Sequence, residues 1–313
     1  AILPAKGNVK VLLQTYFGDI RDCYREIVEL PFNGIGLDFI EGKKTLEFVE
    51  SDGFPEDKIL FAGVVNGKNI WRNNYTTTVS LLGELRKYCK NIVLSTSCSL
   101  LHVPYTLNNE SKLSDDYKKH FAFAEEKLVE LSELKKILSS ENPELIDEYI
   151  KNKKLFDGTR NCENPSVQAA VFALSQGDFV RQPTFSEREK IQKTEFKLPL
   201  LPTTTIGSFP QTAEVKANRS SYKSGKISFD QYTAFSKEKI AECIALQERI
   251  GLDVLVHGEF ERNDMVEYFG ENLEGYVFTE NGWVQSYGTR CVKPPIIWGD
   301  ISRFKPITVD YSV

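Results

Sequence analysis

Nearly continuous apolar runs recur along the first hundred residues: NVKVLLQTYF (8–17), GIGLDFI (34–40), ILFAGVV (59–65) and NIVLSTS (91–97). Each is short and rich in β-forming residues, so each predicts a strand. Their starts lie roughly 25–30 residues apart, which leaves room for a helix between successive strands. DIRDCYREIVEL (19–30) and TTTVSLLGELRKYC (77–89) have the helical spacing of apolar positions. Apolar strands alternating with helices predict a parallel sheet covered on both faces. Repeated βα units suit a closed barrel or an open doubly wound sheet.

The pattern changes between residues 111 and 195. The stretch 111–138 is rich in Lys, Glu and Leu, with Phe121, Leu128, Leu131 and Leu134 at helical spacing. Asn142-Pro143 and Pro165 each open a further helix, since proline suits a first helical turn. After an extended EFKLPLLP (195–202), the βα rhythm resumes. PTTTIGSF (202–209) predicts a strand running into a glycine turn. Residues 228–250 predict a long helix with Ser228 as N-cap and Gly251 after its end. LDVLVHGE (252–259) predicts a second strand, and ERNDMVEYFGENL (261–273) a loop and short helix. GYVFTENGWVQSYG (275–288) reads as a hairpin turning at Glu280-Asn281-Gly282, and VKPPIIWGDIS (292–302) as extended. A closed (βα)8 barrel takes eight strands and typically ~250 residues. Four candidate strands in the first region and two or three in the second complete neither barrel. One composite barrel would carry an unusual connector of roughly 85 helical residues. The chain is therefore read as α/β, with two partial TIM-type (βα)8 barrels. Residues 1–110 form the C-terminal half of the first, 111–200 a helical connector, and 201–313 the N-terminal part of the second.

Composition narrows the function. Of 313 residues, 41% are hydrophobic and 27% charged, which suits a sizeable globular core. A net charge of -5 argues against a general nucleic-acid binder, so an anionic ligand would need a local basic pocket. No apolar run approaches the roughly 20 residues of a membrane span. The start, AILPAKGNVK, lacks both a signal-peptide core and an initiating Met, which points to a fragment or a processed chain. Cys23, Cys89, Cys98, Cys162, Cys243 and Cys291 form no CxxC pair. They read as reduced cytoplasmic thiols, mostly packed in cores.

Functional groups of parallel α/β folds cluster at the C-terminal ends of strands. Those ends are Gln14-Thr15-Tyr16, Asp38, Asn66-Gly67, Ser95 to Ser99 with His102, Ile206-Gly207-Ser208 and His257-Gly258-Glu259. A carboxylate at Glu259 suits a substrate ammonium through charge-assisted bonds. His257 suits a metal ligand or an acid/base. The alternative for both is satisfaction by neighbouring loop amides, although Gly258 admits close approach to the backbone. The Gly207-Ser208 turn offers N–H groups and a hydroxyl to a carboxylate, though a plain βα turn looks the same. With Glu259 it would serve the two ends of an amino acid. Arg290-Cys291 follows a segment bearing Trp283 and Tyr287. An Arg beside aromatics holds a folate glutamate or stacks on a flat ring; the alternative is a surface Arg beside a packed Cys. Asp38 and His102 read as structural. No phosphate-binding glycine loop and no nucleophile elbow are present.

LPTTTIGSFPQT (201–212), GLDVLVHGEFERNDMVEYFGE (251–271) and NGWVQSYGTRCVKPPIIWGDISR (281–303) resemble successive signatures of the catalytic barrel of cobalamin-independent methionine synthases. QTYFGD (14–19), VVNGKNIW (64–71) and STSCSLLHVP (95–104) resemble the end of that family's N-terminal barrel. The resemblance covers essentially the whole chain. It implies two (βα)8 barrels, the first a duplicated relative of the second. It also implies zinc-activated methyl transfer from 5-methyltetrahydropteroyltri-L-glutamate to L-homocysteine, giving L-methionine. The implied enzyme is cytoplasmic and monomeric at full length, with no nucleic-acid or membrane partner.

Residue by residue, the resemblance implies that Ile206, Gly207 and Ser208 contact the backbone end of homocysteine and that Glu259 binds its amino group. Arg290 and Cys291 match folate-contacting positions. His257 lies in the motif but matches no zinc ligand. The family's zinc ligands (a His, two Cys and a Glu) and its proton-donating His are expected beyond Val313, and its early folate-tail residues before residue 1. No catalytic or metal-binding residue is therefore expected within the chain, which alone is expected to be inactive. Phe304 stands where the family often has Pro. In the implied chemistry, zinc deprotonates the homocysteine thiol and the folate N5 is protonated as it leaves. The competing readings are a non-catalytic folate- or amino-acid-binding module derived from the enzyme, and a zinc-free barrel like uroporphyrinogen decarboxylase.

Overall fold

In the computed structural model, which describes residues 2–286 and 288–312, the four early apolar runs are all strands. They are β1 (Leu12–Gln14), β2 (Gly34–Asp38), β3 (Ile59–Val65) and β4 (Ile92–Thr96). They pair in sequence order and all in parallel. Helices Tyr24–Glu29, Thr45–Asp52 and Tyr75–Leu85 fill the three connections. The absence of polar alternation has its cause in this layering. Ile35, Leu37, Leu60, Ala62 and Val64 are fully buried and pack with Tyr24, Val28, Val49, Leu82 and Leu85. Register sets Asp38 beside Gly63 and Gly63 beside Ser95, so the polar strand ends align.

The chain divides into two compact units, 1–160 with 278–294 and 161–277 with 295–313. The first unit includes the helices Ala124–Leu138 and Asp147–Asp157. Leu134 and Ile137 pack there with Val65, Tyr75 and Tyr149. Lys127 is buried in that helix, its Nζ donating to the Trp71 carbonyl at 3.1 Å, and burial pushes its pKa down to about 8. Asn142-Pro143 opens only a single 3-10 turn, Pro143–Leu145, ahead of the second helix.

The second unit holds Pro165–Phe172, Phe185–Phe196, Ala213–Lys223 and the long helix Phe229–Ile250. The long helix starts where Ser228 Oγ accepts from Gln231 N and ends where Gly251 turns left-handed at φ 85°. Val215, Ile240, Cys243 and Phe260 form the core beneath it.

Three expectations need correction. Segments 202–209 and 252–259 are not strands; they are extended and meet in a single parallel bridge, Ser208 with Gly258. Asp253 N and Val254 N donate to the Thr203 carbonyl, and Phe209 N donates to that of Gly258. Gly207, Gly258 and Glu259 all have positive φ, which breaks the pleat between those contacts. The hairpin at 280–282 is also absent. β5 (Glu274–Val277) pairs antiparallel with β8 (Ile296–Ser302) in the second unit. In the first unit, β6 (Val284–Gln285) pairs antiparallel with β7 (Cys291–Val292). Tyr287 lies outside the described residues. Lastly, Cys89, Cys98 and Cys243 are buried, whereas Cys162 is half-buried and Cys23 and Cys291 are exposed. Burial pushes the Cys89 thiol up to about 11. No helix among the described residues is long and apolar enough to cross a membrane.

Candidate functional site

The second unit places its polar groups where the two extended segments touch. Gly207 has φ 119°, Gly258 φ 86° and Glu259 φ 58°. A left-handed non-glycine residue costs about 1–2 kcal/mol, so Glu259 needs external support. The support is local. Glu259 N donates to His257 Nδ1 at 3.1 Å, and the Glu259 carbonyl accepts from Gln211 Nε2 at 3.4 Å. The carboxylate then faces Gly207, where an added Cβ would stand 3.1 Å from Oε1. Gly207 thus suits its place by its backbone angle, and it leaves space in front of the acid.

The turn is pinned from the helices. Gln247, fully buried, holds Val256 from both sides, donating to its carbonyl at 2.7 Å and accepting from its N–H at 2.9 Å. Arg219 Nη2 donates to the carbonyls of Phe260 at 3.1 Å and Arg262 at 2.9 Å, and to Gln211 Oε1 at 2.6 Å. Tyr232 Oη donates to the Glu261 carbonyl at 2.6 Å.

Charge is concentrated in the same turn. Arg262 Nη2 lies 3.3 Å from Glu259 Oε1, and its Nε lies 3.1 Å from Glu261 Oε1. Its guanidinium also sits over the ring of Phe269, 5.5 Å from the centroid. His257 stands between Glu261 Oε2, 3.7 Å from Nδ1, and Arg262 Nη2, 3.2 Å from Nε2. The Glu261 side chain is wholly buried, whereas that of Glu259 is 28% exposed and is the acid open to a ligand.

Of the residues singled out in the sequence, Gly207, Ser208 and Glu259 come together here, and Ile206 is 96% exposed beside them. Arg290 and Cys291 lie in the first unit, at the start of β7; Ser286 N donates to the Arg290 carbonyl at 2.8 Å. Trp283 in that segment carries Lys293 Nζ over its ring at 5.8 Å. Asp38 is occupied by backbone amides, accepting from Phe17, Ile40 and Glu41. The His102 ring packs 5.2 Å from that of Phe17. Sequence reasoning missed Arg219, Gln247, Glu261 and Arg262. The signal for the last two was Glu259-Phe260-Glu261-Arg262, which sets two acids and a base within four residues of one motif.

Among the described residues no group of three or more His, Cys, Asp or Glu side chains is placed to hold a metal ion. The acidic turn does not fit one, because Arg262 already stands as a cation between its two carboxylates.

Fold and turn together define an α/β protein with a parallel sheet and a half-exposed carboxylate presented beside a glycine turn. Residues 1–90 match the family described as Cobalamin-independent synthase, N-terminal domain, and residues 201–313 match Cobalamin-independent synthase, Catalytic domain. The chain belongs to the cobalamin-independent synthase family. It is 59% identical over 313 residues to a 5-methyltetrahydropteroyltriglutamate–homocysteine methyltransferase of Campylobacter jejuni subsp. jejuni serotype O:6, covering 99% of this chain and 41% of that protein. The protein of the same name from Lactococcus lactis subsp. cremoris (strain SK11) is 59% identical over 311 residues, with the same coverage. That of Lactococcus lactis subsp. lactis (strain IL1403) is 56% identical over 311 residues, covering 99% of this chain and 40% of that protein. The chain thus spans about 41% of the length of the first of these relatives.

Proposed function

We propose that this chain forms part of an enzyme that transfers a methyl group from 5-methyltetrahydropteroyltri-L-glutamate to L-homocysteine, and that its own residues seat the amino-acid end of homocysteine. The observation that carries the reading is the Glu259 carboxylate held at positive φ in front of Gly207. An ammonium has its charge-assisted acceptor in Glu259. The substrate carboxylate has N–H and hydroxyl donors in the turn of Ile206, Gly207 and Ser208. Holding both ends fixes the direction of the thiol side chain, which supports in-line attack on the methyl group. Arg290 and Cys291 contact the folate in this reading.

The domains follow the same proposal. Residues 1–110 belong to an N-terminal (βα)8 barrel, 111–200 to a helical connector and 201–313 to a catalytic (βα)8 barrel. The enzyme is cytoplasmic and monomeric, with no nucleic-acid or membrane partner. In this reading the residues of the turn bind and orient homocysteine.

The test uses protein expressed from its complete coding frame, supplied with homocysteine and 5-methyltetrahydropteroyltriglutamate without cobalamin. Methionine formation is expected. Binding of either substrate without turnover would favour the non-catalytic module instead.

A further inference from the structure

We infer that Glu261 is a positioning residue that sets specificity for a cationic amino group: its buried carboxylate neutralises Arg262, so that Glu259 keeps a net negative charge for the substrate ammonium. The inference rests on the reading of Glu259 as the ammonium acceptor and adds the group that makes such a role electrostatically available.

Arg262 is the difficulty that Glu261 resolves. Its Nη2 lies 3.3 Å from Glu259 Oε1, so the two alone would close into a neutral ion pair. A second cation would then gain little from approaching. Glu261 adds a second negative charge to the same guanidinium, 3.1 Å from Nε. Two carboxylates sharing one guanidinium leave these three side chains with a net charge of minus one. Burial decides where that charge is available. Glu261 has no exposed side-chain surface, while Glu259 is 28% exposed and faces the glycine turn.

Two further basic side chains face the cluster, His257 and Arg219. His257 touches both Glu261 and Arg262 through its two ring nitrogens. Arg219 forms no ion pair with either carboxylate among the described residues; its Nη2 is taken up by Gln211 and two backbone carbonyls.

A second observation concerns Glu261 itself. Neither of its carboxylate oxygens has a hydrogen-bond partner among the described residues, although both are buried. Buried polar groups that serve packing are normally hydrogen-bonded. An acid that is buried, ion-paired and not hydrogen-bonded acts through its charge.

The experiment measures dissociation constants by calorimetry, separately for L-homocysteine and 5-methyltetrahydropteroyltriglutamate, on protein expressed from its complete coding frame. E261Q should weaken homocysteine about 10-fold or more, the equivalent of one charge-assisted bond, and leave the folate within about 2-fold. Adding R262Q to E261Q removes the unbalanced cation and should return homocysteine to within about 3-fold of wild type. In an E259Q background, E261Q should cause no further loss. If E261Q does not fold, the contrast passes to R262Q and E261Q/R262Q, both of which should bind homocysteine within about 3-fold of wild type. Unchanged homocysteine affinity in E261Q, an equal loss for folate, or a failure of the double variant to recover would each overturn the inference. If E259Q itself changes nothing, the homocysteine seat falls and the inference with it. If E259Q weakens homocysteine while E261Q does not, only the inference falls.

Discussion

The buried carboxylate of Glu110 accepts the backbone N–H of Asn281 at 2.9 Å and that of the neighbouring Glu280 at 2.5 Å. Asn281 Nδ2 answers by donating to the Asn109 carbonyl at 2.7 Å. These bonds attach the segment carrying Arg290 and Cys291 to the first unit. Replacing Glu110 by Ala removes both acceptors, which should cost roughly 1.5–3 kcal/mol of local stability. Amide exchange at residues 280 and 281 should accelerate, and folate affinity should fall while homocysteine affinity holds. Unchanged exchange at those two amides would show that the attachment lies elsewhere.

Acid should release the same segment. The Glu280 carboxylate pairs with Lys112 Nζ at 2.9 Å and accepts from Ser111 Oγ at 2.8 Å and Lys112 N at 2.9 Å. The Lys112 side chain first, then Ser111, hold its pKa down at about 2, from an ordinary 4.5. A carboxyl lowered in the folded state stabilises fully above the ordinary value and loses that contribution as pH falls through the folded one. The contact should therefore be intact at pH 5 and weaken from about pH 4.5 down to about 2. Carboxyl NMR of Glu280 checks this; titration at the ordinary value would contradict it.

Gly207→Ala should damage the turn in two ways. A φ of 119° is strained for any side chain, at roughly 1–3 kcal/mol. The new Cβ would also stand 3.1 Å from Glu259 Oε1. Thermal unfolding should shift down modestly, while homocysteine affinity should fall more than the stability loss explains. Wild-type homocysteine affinity in this variant would remove Gly207 from the seat.

How far the sequence reveals this arrangement depends on whether the information is local. The helix Phe229–Ile250 is legible because its N-cap, its apolar spacing and its terminal glycine all lie in one continuous stretch of sequence. The central strands β2 and β3 are legible because burial on both faces leaves an unbroken apolar run, and β1 and β4 beside them, although less buried, keep β-rich composition. The turn at Glu280-Asn281-Gly282 misleads because its amides are claimed by Glu110, about 170 residues away. Likewise LDVLVHGE has strand composition, but Gln247 takes both backbone groups of Val256 that a neighbouring strand would need. In the candidate site, Gly207, Ser208 and Glu259 are visible as chemistry at the ends of apolar runs. The second carboxylate of Glu261 and its guanidinium partner require the turn geometry to be seen as one charge cluster.

The cysteines offer an independent check on the packing. Cys23 and Cys291 are exposed, whereas Cys89, Cys98 and Cys243 are buried, with burial pushing all three of those thiols upward. In native protein at pH 8, iodoacetamide should modify Cys23 and Cys291 much faster than the buried three, read by peptide mass spectrometry. Equal rates across all five would contradict the described cores.

The central claim is that Glu259 holds the amino group of homocysteine. Its most direct test is calorimetry of Glu259→Gln in protein expressed from its complete coding frame, with each substrate titrated separately. Loss of one charge-assisted hydrogen bond predicts a homocysteine affinity lower by roughly 1.5–3 kcal/mol, about 10- to 150-fold, with the affinity for 5-methyltetrahydropteroyltriglutamate unchanged. Unchanged homocysteine affinity, or an equal loss for both substrates, would contradict the assignment.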